Sequence, residues 1–445
     1  MFTRRLRLGA GLSVLALAGA LLGACGSGGS DSGGGGSASA VQDALTKGGT
    51  ITVWAWEPTL KDVVKSFEKK YPKVHVKLVN AGTGNDEYTA LQNSIKAGSG
   101  VPDVAQVEYY ALPQFALTKS LTDLSSYGAS DLDGTFSTGP WNSVHSGDGI
   151  YGLPMDSGPM ALFYNKTVYD KYGLTVPKTW DEFLADAKKL HKANPKAYIT
   201  NDIGDAGFTT SLIWQAGGQP FQTDGTKVKI DLADAGTTKA ATMWQKLISE
   251  KLVAPTGSWS DEWYQGLANG TIASLVTGAW MPANLESGAA AAKGEWRVAP
   301  MPQYDSGSND TAENGGSSLA VPDASKNKAL AYAFLKYADV DDGVQIRVDG
   351  GAFPATTAEL QSSEFQDKKF PYFGGQQVNK VLAQSADDVV DGWTYLPFQV
   401  YANSIFNDTV GKAYTSSTTL QQGLKNWQSK LVSYGNDQGF SVSSD

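Results

Sequence analysis

The stretch that most limits how this chain can fold covers residues 149–166, Gly-Ile-Tyr-Gly-Leu-Pro-Met-Asp-Ser-Gly-Pro-Met-Ala-Leu-Phe-Tyr-Asn-Lys. It opens as a strand through Ile150, Tyr151 and Leu153, breaks at Pro154, and passes through Asp156-Ser157-Gly158-Pro159. A second strand then runs over 160–164. Pro cannot donate to a strand ladder and Gly relaxes the backbone, so the break reads as a bend. Two apolar strands joined this way fit one chain crossing between two folded bodies. Asp156 stands at that crossing, facing whatever binds there.

The flanking sequence supplies the bodies. Residues 49–54 alternate as a strand with Ile51 and Val53 on one face. Thr59 is placed to cap a helix, with Asp62 at the capping-box position and an apolar stripe of Leu60, Val63, Val64, Phe67 and Tyr71. A strand over 73–79, a helix over 88–97 and a strand over 103–107 follow, which is the order of a parallel α/β sheet. Ligands bind such sheets beyond the carboxyl ends of the strands, which puts Trp56, Glu57, Glu108 and Tyr109 at the rim.

Beyond the crossing, Thr179 caps another helix with Glu182 as its capping-box partner. Helices are expected over 212–216, 238–252 and 259–269, then a buried strand over 271–280 that ends on Trp280. Asp205, between Gly204 and Gly207, reads as an ordinary loop. A strand over 296–300 precedes another over 315–322, which begins on the flexible pair Gly315-Gly316. The rest reads as helical over 328–338, 378–386, 399–413 and 420–431. With 445 residues, the chain has room for two or three domains.

The N-terminus is of a different kind. Arg4, Arg5 and Arg7 precede an apolar run over 8–22 that is short for a membrane span, followed by Gly23, Ala24 and Cys25. Residues 1–24 read as a secretory signal. Cys25, the single cysteine, follows Leu22-Gly-Ala24, which resembles the lipobox of bacterial lipoproteins, where the signal is cut before the Cys and its thiol lipidated. Residues 25–40 are Gly- and Ser-rich and read as a flexible tether.

Loss of residues 1–24 removes three Arg and no acid, so the formal charge moves from −9 to −12. An acidic surface disfavours nucleic acid. Only Arg297 and Arg347 then remain, and planar recognition of carboxylate or phosphate relies on Arg. A neutral or cationic ligand fits better than an anion.

Tryptophan is abundant, with 12 residues. Flat aromatic platforms with acids and amides suit a pyranose, which offers an apolar C–H face and a belt of hydroxyls. Trp280 and Trp393 stand at a strand end and in a loop, as stacking residues would. Trp54 and Trp180 lie inside periodic packing patterns and read as core. Trp56 fits either role. Glu57, Glu108 and Asp156 can accept from hydroxyls in charge-assisted bonds. They can equally serve as a helix N-terminal charge (Glu57) or as solvated rim acids. No two acids form a recognised glycosidase pair, and His75, His145 and His191 lack triad or metal spacing. No catalytic residue, metal site or cofactor motif is read here.

The order of landmarks resembles the family-1 extracellular solute-binding proteins of ABC importers, the group that includes maltose-binding protein. The matching residues are Val101-Pro-Asp-Val104, Leu121-Thr-Asp-Leu124, Tyr151-Gly-Leu-Pro154, Phe163-Tyr-Asn-Lys166, Pro177-Lys-Thr-Trp-Asp-Glu-Phe183, Gly278-Ala-Trp280, Gly315-Gly316 and Gly351-Ala-Phe-Pro354, in collinear order. The resemblance implies an α/β, two-lobe, type II periplasmic-binding-protein-like fold with three interlobe crossings, at 155–159, near 315–318 and between 364 and 370. Lobe 1 would comprise 41–155 with 317–365, and lobe 2 156–316 with 366–445. It implies a monomer, lipid-anchored on the outer face of the bacterial cytoplasmic membrane. Such a protein passes a sugar, expected to be an oligosaccharide, to an ABC permease. The implied ligand contacts are Trp56, Glu57, Glu108, Tyr109, Asp156, Trp280, Gly315, Gly316 and Trp393. Two other readings stay open: a binding protein for a cationic or peptide solute, and a secreted glycan-active enzyme.

Overall fold

The computed structural model describes residues 38–444, so the signal, Cys25 and most of the tether lie outside the described residues. The last tether residues do not: a helix, α1 (Ala38–Lys47), begins there. Its Val41, Ala44 and Leu45, at helical spacing, pack on the first body, an apolar face that overrides the small-residue composition.

The first body is a five-stranded sheet. β1 (Gly49–Trp54) lies between β2 (Val74–Val79) and β3 (Val104–Glu108), all parallel. Antiparallel to β3 runs β8 (Ser317–Ala320), and the edge is β4 (Leu153–Pro154), where Pro154 pairs with Ser318. An edge strand tolerates Pro because its missing donor faces away from the ladder. Helices α2 (Leu60–Lys70) and α3 (Asn85–Ala97) are the parallel crossovers. The expected stripe is buried at Leu60, Val63, Val64 and Phe67. The expected Thr59–Asp62 capping box does not form. Instead Glu57 Oε2 accepts from the Leu60 N–H at 3.1 Å and from the Thr59 hydroxyl at 2.6 Å.

The second body is built on β5 (Met160–Asn165), flanked antiparallel by β6 (Ser274–Gly278) and β7 (Trp296–Ala299). Met160 and Leu162 enter one apolar cluster, Ala161 and Phe163 another. Both faces of β5 are therefore buried, which is why its sequence is continuously apolar rather than alternating. Helix α4 (Trp180–Ala193) carries the complete Thr179–Glu182 capping box. Trp180 is buried, with its Nε1 donating to Gln215 Oε1 at 3.0 Å. The segment after α7 (Lys328–Asp339) and α8 (Gly343–Asp349) touches both bodies. Ala355 O accepts from Ser137 N, whereas Phe365 O accepts from Asn379 Nδ2. Among the described residues no helix is long and apolar enough to cross a membrane.

Candidate functional site

Residues 155–159 and 313–318 run side by side where β4 leaves the first sheet and β5 enters the second. Asp156 Oδ1 accepts from Ser317 N at 2.5 Å, and its main-chain carbonyl accepts from the Tyr109 hydroxyl at 2.6 Å. Glu313 answers from the other segment, accepting from the Ser157 hydroxyl at 2.9 Å and from Gly158 N at 2.6 Å. Gly158 is required here, because a Cβ would stand 2.4 Å from the Asn314 carbonyl. Gly316, at φ +102°, leaves room for the Tyr109 ring. Burial pushes the Asp156 carboxyl up to about 6, opposed by Arg347, and pushes Glu313 up to about 7. Asp156 is thus a tie between the two segments, and Gly315 and Gly316 serve the backbone geometry.

The first body's rim is also occupied. Gln106 Oε1, buried in the sheet, accepts from the N–H groups of Trp56 and Glu57, both at 3.1 Å. Trp56 is half-buried, edge-on to Tyr88 at 6.3 Å. Glu57 caps α2 and lies 4.0 Å from the buried Arg347, which bonds Asp339 at 3.0 Å. Glu108 accepts from the Tyr88 hydroxyl at 2.9 Å, and burial raises its carboxyl. The Tyr109 ring is fully buried.

The second body's wall is a cavity of about 350 Å³. Trp280 lines it, with Nε1 donating to the Asn314 carbonyl at 2.7 Å. Beside it stands Trp259, with ring centroids 5.5 Å apart and planes inclined by 36°. Trp263 continues the row at 5.3 Å and is fixed by Asn201 Oδ1 at 2.7 Å. Trp259 is 53% exposed and has φ +71°, a backbone region that bulky residues rarely occupy. A sequence expectation of helix over 259–269 hid it. Helix α6 (Asp261–Asn269) is capped by Ser260, which leaves Trp259 free of the helix and turned onto the wall. An exposed Trp in Gly-Ser-Trp-Ser, before a capping Ser, was the available signal.

The loop around Asp205 lines the same cavity rather than standing apart from it. Asp202 accepts from Trp244 Nε1 at 2.8 Å, from the Tyr414 hydroxyl and from Gly204 N, and burial pushes its carboxyl up to about 6. Asp205 caps α5 (Ala206–Gln215) through Phe208 N. Among the described residues no Lys, Arg or His lines this cavity. Arg347 is spent on Asp339, and Arg297 on the Gly294 and Trp296 carbonyls. Nor do three or more His, Cys, Asp or Glu gather there or elsewhere among the described residues to hold a metal ion.

Trp393 does not share the cavity. It stacks on Trp214, centroids 4.2 Å apart and planes 21° apart, in a separate chamber. Of the residues expected at a ligand site, Trp280 lines the cavity; Trp56, Glu57, Glu108, Tyr109 and Asp156 lie on the first body's rim and at the crossing.

Residues 54–343 match the family model described as bacterial extracellular solute-binding protein. A solved ABC-transporter-associated binding protein of B. animalis subsp. lactis Bl-04, in complex with β-1,6-galactobiose, is 46% identical. That match covers 89% of this chain and 99% of the other, with a TM-score of 0.81. The galacto-N-biose/lacto-N-biose I-binding protein of Bifidobacterium longum, solved with lacto-N-biose, is 28% identical, with 89% and 99% covered and a TM-score of 0.78. A lactose-binding protein of Rhizobium radiobacter is 27% identical over 356 residues, which is 74% of this chain and 80% of that protein.

Proposed function

We propose that this chain, which belongs to the bacterial extracellular solute-binding protein family, captures a sugar, an oligosaccharide of neutral character, in the cleft between its two lobes and delivers it to an ABC importer permease. One observation carries the reading: the Trp259–Trp280 pair and the Asp202–Asp205 loop line one cavity, with no cation among its described lining residues. Flat rings stack on the C–H face of a pyranose, while Asn201, Asp205 and the Asn314 side chain can bond its hydroxyls. A site built for hydroxyls rejects analogues that lack them. The related proteins solved with galactobiose and lacto-N-biose support the same class of ligand.

The remaining parts of the reading follow the sequence. Residues 41–155 with 317–365 form one lobe and 156–316 with 366–445 the other, hinged at three crossings. The third is drawn between 364 and 370; before it Ala355 O accepts from Ser137 N, and at its start Phe365 O accepts from Asn379 Nδ2. Cys25 carries the lipid that holds a monomeric body at the outer face of the membrane. The protein performs no catalytic step. Ligand touching both lobes favours the closed state by the difference in its affinity for the two states.

The same acids would also suit an amine, so the test must separate the two. Titration of the full chain with mono- and oligosaccharides, polyamines and peptides should give heat and thermal stabilisation with a neutral sugar, unchanged by turnover. A response to amines alone sinks the proposal. Trp280→Ala should weaken sugar binding by about ten-fold or more, the scale of one aromatic contact, with the unliganded melting curve retained.

A further inference from the structure

Four large apolar side chains are exposed among the described residues, and two of them, Ile203 and Trp259, line the cavity at Trp280. A third, Leu117, stands elsewhere, on a chamber of about 730 Å³ lined from both bodies. One lip of that chamber belongs to the first body. The short helix Leu112–Leu117 ends there, and Lys119 follows it. The other lip belongs to the second body, through Asp391, Trp393 and the hairpin residue Asp224.

Lys119 is held in a conformation that its residue type does not favour. Its φ is +53°, the left-handed region, where a helix ending this way normally places Gly. Its N–H donates to Ala116 O and the Ser120 N–H to Phe115 O, both at 2.9 Å, so the helix is closed through this residue. A Lys at this point carries backbone strain that a Gly would avoid. What the strain retains is an exposed cation, two residues after an exposed Leu, with no ion pair among the described residues. The other lip carries the complement at the same spacing. Asp391 is exposed and stands two residues before the half-buried Trp393, whose ring is backed by Trp214 at 4.2 Å. Asp224 adds a second exposed carboxylate, and neither acid is in an ion pair among the described residues.

Resting on the reading of two lobes that close on a sugar, we propose that these lips are a closure seam. As the lobes come together, Lys119 pairs with Asp391 and Asp224, and Leu117 is covered by the Trp393 ring. The seam touches no sugar. It adds to the closed state alone, so it lengthens the stay of a bound ligand rather than speeding its arrival.

The test is release of β-1,6-galactobiose from the full chain, followed by stopped-flow tryptophan fluorescence. Lys119→Glu should release the sugar about ten-fold faster, with little change in association rate. Asp391→Lys should do the same, and the two reversals combined should bring release back to within about three-fold of the unaltered protein. Salt at about 1 M should remove most of the difference between the unaltered chain and Lys119→Glu, because these charges are exposed. Lys119→Gly separates the seam from the fold. It relieves the strain, so the unliganded melting temperature should be no lower, yet release should be about three-fold faster. A Lys119→Glu protein that releases at the unaltered rate overturns the inference, as does a double reversal no slower than either single. In either case, binding that depends on Trp280 leaves the sugar reading standing. An unaltered chain that binds no galactobiose overturns both.

Discussion

Glu87 lies fully buried on α3, and neither carboxylate oxygen has a hydrogen-bond partner. Burial pushes its carboxyl up to about 8. A buried acid without a partner is tolerated by keeping its proton. The sign follows: the folded state binds the proton more tightly than the unfolded chain. Stability from this group is full below the unfolded value near 4.5 and declines as pH rises through about 8. Glu87→Gln keeps the shape and removes the titration. The variant and the unaltered protein should melt together near pH 4. A gap in favour of Gln should open as pH rises and reach several kcal/mol, because each ten-fold difference in proton affinity between the two states is worth about 1.4 kcal/mol. Thermal melts across that range decide it: a gap that stays constant with pH excludes Glu87 as the titrating group. Trp259 makes the complementary point about residues: its place on the cavity wall goes with a backbone conformation, φ +71°, that side-chain pattern does not encode.

Between elements, the two crossing segments are joined by side chains acting on each other's main chain. Glu313 alone bonds Ser157 and Gly158. Glu313→Gln would turn one acceptor into a donor facing a donor, leaving a buried group unpaired at about 1–3 kcal/mol. A denaturant midpoint lowered by that amount is expected; an unchanged midpoint would mean the segments are held elsewhere. How much of this was legible varies with the range of the interaction. The Thr179–Glu182 box is contained in four residues and formed as its sequence reads. The same pattern at Thr59–Asp62 lost to Glu57, two residues before the cap and beside an Arg347 that arrives from far along the chain. The break at 154–159 was readable, because Pro and Gly act locally. That Asp156 would tie to Ser317 was not, nor that Asp202 would be fixed by Tyr414. The strands and most helices follow from period and punctuation, whereas the cavity wall is assembled from contacts that span hundreds of residues.

At the scale of the whole molecule, charge decides what can enter. The chain carries a formal charge of −9, and its first cavity is walled by Asp202 and Asp205 with no cation among the described lining residues. Its two arginines outside the N-terminal segment are committed to structural partners. A uronate or phosphate entering this space would lose hydration without gaining a counter-charge, and it would approach through a repulsive field. Neutral sugars meet no such penalty, since hydroxyls exchange water for carboxylate and amide partners. The expected outcome is selectivity by charge as well as by shape. A disaccharide in which one hexose is replaced by its uronate should bind at least about ten-fold more weakly than the neutral parent, a difference of about 1.4 kcal/mol. Raising ionic strength should narrow the difference by speeding association of the charged probe, while neutral binding barely changes. Calorimetry and stopped-flow fluorescence with the neutral and uronate probes, at low and high salt, measure both effects. Equal affinity for the two probes would mean that the acids of this wall are neutralised by groups the cavity does not hold.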